Sequence, residues 1–219
     1  MLEGRLEDVK KRIETAAARA GRNSREITLL AVTKKFPAAR IVEAYHLGLR
    51  DFGENYVQEF ETKFPELAGL EGARFHLIGH LQSNKTRRAA ELFQVIQTVD
   101  SAKLARRLDS EGKRLDVMLE VKLSHEESKA GTAPEELDEV VAAVRGCANL
   151  QLVGLMTMPP WTDEAEPSRP YFTQLRKLAE KYSLSQLSMG MSHDFEVAIE
   201  EGSTCVRVGT ALFGPRVKG

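Results

Sequence analysis

Eight apolar runs punctuate the chain, and each of the first seven hands over to a stretch with helical periodicity. The runs occupy residues 27–32, 51–53, 75–79, 95–99, 117–123, 150–156, 184–189 and 205–208. They are near-continuous rather than alternating, as expected of parallel strands covered on both faces. The intervening stretches, 38–47, 56–64, 84–93, 102–111, 134–145, 170–182 and 194–201, space apolar residues three and four apart. Pro134 and Pro170 stand at positions suited to first helical turns. Eight such units in 219 residues predict an α/β fold: a single, closed (β/α)8 TIM barrel forming one domain over residues 1–219. A doubly wound open sheet is the competing topology, and the strand count favours the barrel. Before the first strand, Leu2, Leu6, Val9, Ile13 and Ala16 or Ala17 predict an extra N-terminal helix that ends near Gly21.

Several functions are excluded at this stage. Lys and Arg number 31 against 32 Asp and Glu, so no strongly basic face is available to attract nucleic acid. The densest basic run, 85–88, is expected to cap a site or face solvent. The N-terminal twenty residues are charged throughout and lack the apolar core of a signal peptide. No run approaches bilayer-spanning length. A cytoplasmic protein without a membrane partner is expected. Cys147 and Cys205 lie in apolar surroundings with no metal or redox spacing, and are expected to be buried free thiols. The five histidines form no HExxH, there is no GxSxG elbow, and the frame Gly209 to Gly214 is followed by Pro215 and Arg216 instead of the Lys-Ser/Thr of a P-loop. No metal site is expected.

In barrels of this kind the chemistry sits at the carboxyl ends of the strands. The residues there are Thr33-Lys34-Lys35, "GENY" at 53–56, "GHLQSNK" at 79–85, Asp100-Ser101, "TMPP" at 157–160, "MGMSHD" at 189–194 and "RVGTALFG" at 207–214. Singly, the Asn, Ser and Asp residues read as helix caps; gathered on one rim they read as a site. The last two loops offer backbone N–H groups and small residues suited to an anion, where barrels commonly hold phosphate. Lys34 and Lys35 end the first strand, and alternation would send them to opposite faces. The lysine entering a partly apolar mouth would lose proton affinity and become a nucleophile able to form a Schiff base with an aldehyde. A lysine facing a phosphate nest suits a phosphorylated aldehyde, with pyridoxal 5′-phosphate (PLP) the obvious candidate; a lone solvated charge is the plain alternative. Residue pattern does not choose between the two lysines.

Taken together, "LLAVTK", "FGENYVQE", "FHLIGHLQSNK", "VDSAKLA", "EESKAG", "GLMTMPP" and "LSMGMSHDFEVAIEEGSTCVRVGTALFG" resemble the pyridoxal phosphate homeostasis proteins, also called the proline synthase co-transcribed or PLP-binding family. The resemblance runs from about Ile27 to Gly214. It implies a fold type III PLP barrel, similar to the N-terminal barrel of alanine racemase, with PLP as an internal aldimine on Lys34 of the A-V-[ST]-K motif. It further implies Asn55 beside the cofactor, Ser192, Gly209 and Thr210 on the phosphate, and Arg207 at the pyridine nitrogen. An arginine there keeps that nitrogen unprotonated, which makes the ring a poorer electron sink.

A racemase needs a second base on the opposite face, and alanine racemases take a tyrosine from an added β-domain. The chain ends a few residues beyond the eighth strand, and its four tyrosines are expected on helices or, for Tyr56, in packing. His80, His193 and Asp194 are the other candidate bases. The expectation is a non-catalytic, monomeric carrier that holds PLP and supplies it to PLP-dependent apo-enzymes. A low-activity PLP-dependent racemase is the alternative. Residues 159–167, with Trp161, read as a solvated loop or a flap, the former favoured.

Overall fold

The computed structural model describes residues 1–124 and 130–215. Residues 126–129 of "EESKAG" and Arg216 lie outside the described residues. In chain order the elements are α1 (Leu2–Arg19), β1 (Thr28–Val32), α2 (Ala38–His46), β2 (Asp51–Glu54), α3 (Val57–Leu67), β3 (Arg74–Leu77), α4 (Thr86–Leu92), β4 (Val95–Val99), α5 (Ala102–Asp109), β5 (Leu115–Glu120), α6 (Leu137–Arg145), β6 (Leu150–Met156), α7 (Arg169–Lys181), β7 (Gln186–Met191), α8 (Phe195–Glu200), β8 (Cys205–Val208) and α9 (Thr210–Phe213). The strands close into a barrel in sequence order. Every neighbouring pair is parallel, and β8 returns to pair with β1 through Leu30↔Arg207.

Closure removes sheet edges and sorts each strand into two faces. Outward residues such as Ala31, Phe52, Leu77, Ile96, Val117 and Val206 join the helices in the main core. Within it, Phe60 of α3 stands 4.8 Å from both Phe75 and Phe93, and each ring removed from water contributes about 2–3 kcal/mol. Inward residues are more polar than the apolar runs suggest. Gln97 of β4 reaches Ser188 of β7 (2.6 Å), and these strands are not neighbours, so the contact crosses the barrel interior. It belongs to a hydrogen-bonded chain Asp51–His76–Gln97–Ser188–Arg207. A small apolar cluster of Leu30, Val32, Ile78 and Cys205 fills part of the same interior.

The N-terminal helix ends as expected, with Ala20 at its C-cap and Gly21 at φ 64°. It is clamped to α8: Arg12 donates from Nε and Nη2 to the two carboxylate oxygens of Glu196 (2.9 Å each) and lies 4.4 Å over the Phe195 ring. Arg22 donates to the carbonyls of Ile199 and Ser203 at the other end of α8. The extra helix therefore braces the part of the barrel that carries the loops after β7 and β8.

Several local expectations change. β5 and β7 lie about two residues from their expected positions, at 115–120 and 186–191. Near the end of β7, Gly190 adopts φ 91°, and a Cβ there would sit 2.6 Å from the Ala198 Cβ, so the strand passes α8 at a point with no room for a side chain. The last strand does carry a helix, the single turn α9. Lys34 and Lys35 are not in a strand. β1 stops at Val32 and Lys35 takes φ 64°, so the alternation rule does not govern them. Tyr56 is exposed instead of packed, and Cys147 is only half-buried, whereas Cys205 is fully buried.

Candidate functional site

A cleft of about 580 Å³ opens at the carboxyl end of the barrel. Its wall includes Lys34, Asn55, Ser192, Arg207, Gly209 and Thr210, all six residues expected from the sequence. They arrive from four strands. Lys34 lies in the turn after β1, Asn55 follows β2, Ser192 follows β7, Arg207 is on β8, and Gly209 and Thr210 lead into α9.

The loops after β7 and β8 meet at one hydroxyl. The backbone N–H groups of Gly209 and Ala211 each donate to Ser192 Oγ at 3.3 Å. Asp194 Oδ1 accepts from the Met191 N–H (2.7 Å) and holds the β7 loop in its tight return toward α8. Converging N–H groups of this kind form a concavity suited to an anion.

Arg207 is buried, at 3% exposure. Its Nη1 donates to Ser188 Oγ and its Nη2 to the Thr157 carbonyl, both at 2.8 Å. Burial lowers its pKa from the ordinary value, opposed by neighbours that include Asp194 and Glu120. Ser188 is in turn held by Gln97, and Gln97 by His76, so the guanidinium is steered from behind by the barrel interior. Burial lowers the His76 pKa, against the pull of Asp51.

In the turn after β1, the strand paired with β8, Lys34 is half-buried and Lys35 exposed. Asn55 Oδ1 is buried without a hydrogen-bond partner among the described residues. The Asn55 backbone is fixed by Gly79, where a Cβ would fall 2.2 Å from the Asn55 carbonyl oxygen. Only glycine admits that approach.

Other groups in the cleft were not expected from the sequence to bind the cofactor: His193 was read only as a candidate base and Trp161 only as part of a loop. His193 lines it, its ring centroid 4.0 Å from that of Trp161 at a tilt of 45°, with both ring nitrogens buried and lacking a hydrogen-bond partner among the described residues. Trp161 and Met158 border the mouth while remaining 69% and 40% exposed. The 159–167 loop, expected to be solvated, thus lays its indole against the site. An exposed tryptophan in a Pro-rich loop after strand six was the available signal. His80 lies outside the cleft lining, half in solvent beside Asp100 (3.5 Å). Tyr45 and Tyr182 bond elsewhere, to the Glu71 carbonyl and to Asp138. Glu120, at the end of β5, has its carboxyl pushed up to about 7 by burial, partly offset by Arg207 and reinforced by Asp100. Among the described residues no cluster of three metal-ligating side chains is assembled, and no helix is long and apolar enough to cross a membrane.

Residues 5–217 match the family described as "Alanine racemase, N-terminal domain", which defines the class of barrel to which the chain belongs. The fold of Clostridium difficile alanine racemase is shared at 14% identity, with a TM-score of 0.71 over 99% of this chain and 57% of the racemase. Full-length relatives are far more similar. The pyridoxal phosphate homeostasis protein of Pseudomonas aeruginosa is 48% identical over 96% of this chain and 94% of its own length. That of Escherichia coli strain K12 is 44% identical, over 96% and 95%. PipY of Synechococcus elongatus, solved with PLP bound, is 38% identical with a TM-score of 0.84, over 98% of this chain and 100% of PipY. The chain belongs to the pyridoxal phosphate homeostasis protein family.

Proposed function

We propose that the barrel, as one domain over residues 1–219, binds PLP at this cleft and serves PLP homeostasis as a non-catalytic, monomeric carrier in the cytoplasm that supplies PLP-dependent apo-enzymes. One observation carries the reading. A single cleft is bordered by the Lys34 amine and by the Gly209 and Ala211 N–H pair with Ser192, with Arg207 on the same wall.

The residues present suit that ligand. The N–H groups that now meet on Ser192 Oγ are donors for a phosphate ester, with the Ser192 and Thr210 hydroxyls beside them. The orphaned Asn55 Oδ1 is a polar atom without a partner on the Lys34 side of the cleft. Arg207 is a permanent donor that would hold a facing pyridine nitrogen unprotonated. When bound, PLP supplies an aldehyde carbon that an amine can attack with loss of water. Lys34 is the lysine in the cleft lining, which favours it over the exposed Lys35.

Absence of turnover is supported by what surrounds the cleft. Its described lining contains no tyrosine, carboxylate or cysteine, and its one histidine, His193, is covered by Trp161. Arg207 also makes the bound ring a poor electron sink. The test adds PLP, reduces with borohydride and maps the modified peptide by mass. A label on Lys34, lost in Lys34→Ala, is the expected result, with no exchange of any amino acid's α-proton in heavy water. A label elsewhere would overturn the site, and steady exchange would overturn the carrier.

A further inference from the structure

Behind the Lys34 turn lies a charged cluster that the binding reading does not use. Lys63 of α3 and Glu54 of β2 are buried, at 7% and 0% exposure. The Lys63 ammonium has three protons and meets three acceptors: Glu54 Oε1 at 2.9 Å, Glu59 Oε1 at 2.7 Å and the Thr33 carbonyl at 3.1 Å. Thr33 Oγ1 donates to the same Glu54 oxygen (2.7 Å). The Lys35 N–H donates to Glu59 Oε1. Both residues flanking Lys34 are thus tied to one ammonium and two carboxylates, Thr33 by its carbonyl and hydroxyl, Lys35 by its N–H.

Such a cluster is costly. Two carboxylates share one ammonium, Glu54 Oε2 is buried without a hydrogen-bond partner among the described residues, and burial raises the Glu54 pKa. Buried ion pairs are often replaceable by apolar side chains without loss of stability. Lys35 adds to the cost by holding φ 64°, a conformation that non-glycine residues rarely adopt and that clusters at functional sites. Charge burial and backbone strain converge on the two peptide groups that bracket Lys34, and no other strand-end turn among the described residues carries a buried lysine in this way.

We infer that Lys63, Glu54 and Glu59 are positioning residues for Lys34: they lock the β1 turn so that its amine is held at the attack position, without themselves touching the ligand. The inference rests on Lys34 being the residue that bonds the aldehyde, as proposed above. It separates covalent attachment, at the turn after β1, from docking of the phosphate ester, assigned above to the loops after β7 and β8.

The test uses two ligands. PLP reports attachment; pyridoxamine 5′-phosphate carries the same ring and ester but no aldehyde, and reports docking alone. Glu54→Gln/Lys63→Met removes both buried charges together and avoids an unpaired ion. Glu59→Ala removes a partly exposed carboxylate and the acceptor for the Lys35 N–H. The expected result is that adduct formation, followed by stopped-flow absorbance and borohydride trapping, slows by roughly ten- to a hundredfold in each variant, while affinity for pyridoxamine 5′-phosphate is unchanged. Parallel loss of both would show a structural role only and overturn the inference, as would attachment at the wild-type rate. If the double variant fails to fold, Glu59→Ala decides alone. Absence of any Lys34 adduct in the wild-type protein would instead sink the binding reading, so the two failures are distinguishable.

Discussion

Replacing Glu120 by glutamine is expected to stabilise the protein at neutral and alkaline pH and not in acid. The residue ends β5 inside the barrel mouth at 4% exposure, and burial lifts its carboxyl from the ordinary 4.5 to about 7. In the unfolded chain the carboxyl is solvated and loses its proton near the ordinary value. Between the two values the folded protein holds more protons than the unfolded one, so stability falls as pH rises. The contribution is fully present below 4.5 and is lost by the time pH passes 7. At about 1.4 kcal/mol per pH unit, the gap corresponds to ~3 kcal/mol. Glutamine keeps the size and polarity without ionising. Urea unfolding of both proteins at several pH values isolates the effect, because the other titrating groups cancel in the difference. The variant's advantage should grow by about 2–3 kcal/mol from pH 5 to pH 8, most steeply near pH 6. A difference that stays flat across this range, or grows in the opposite direction, would refute the assignment of a buried, proton-holding carboxyl beside Arg207.

Other outcomes follow from the same geometry. Ser192→Ala removes the hydroxyl on which the Gly209 and Ala211 N–H groups converge, and should weaken binding of PLP and of pyridoxamine 5′-phosphate alike by about tenfold, the worth of one hydrogen bond to a charged group, read by fluorescence titration. Gly190→Ala should destabilise by about 2 kcal/mol or more in urea, since the added Cβ would strike Ala198 and the φ of 91° strains any L side chain. Arg12→Ala should cost ~1 kcal/mol through the lost Glu196 pair and the Phe195 stack, measured by thermal unfolding.

Much of the architecture was legible because it is local. An apolar run of five residues followed by a period of 3.6 specifies a strand and its helix wherever the pair lies, and repetition leaves little besides a barrel. The rim residues were legible for the same reason: in a parallel barrel each strand's carboxyl end faces the same side, so Asn55, Ser192 and Arg207 had to share a rim.

Register, handed to each strand by its neighbours, was not legible. β7 lies two residues beyond its expected position, and near its end Gly190 passes close against α8, a contact between segments that only packing creates. Likewise the choice between Lys34 and Lys35 defeated strand alternation. It was made by a turn at Lys35 that Glu59, twenty-four residues later, holds by its N–H. The sequence by itself determined which elements form and which rim would carry the polar groups, since propensity and period act over a few residues. Only the tertiary structure decided which lysine enters the cleft, that Trp161 covers His193, and that Asp51, His76, Gln97 and Ser188 steer Arg207 from within. Those outcomes depend on distances between residues far apart in the chain, and no short-range pattern encodes them.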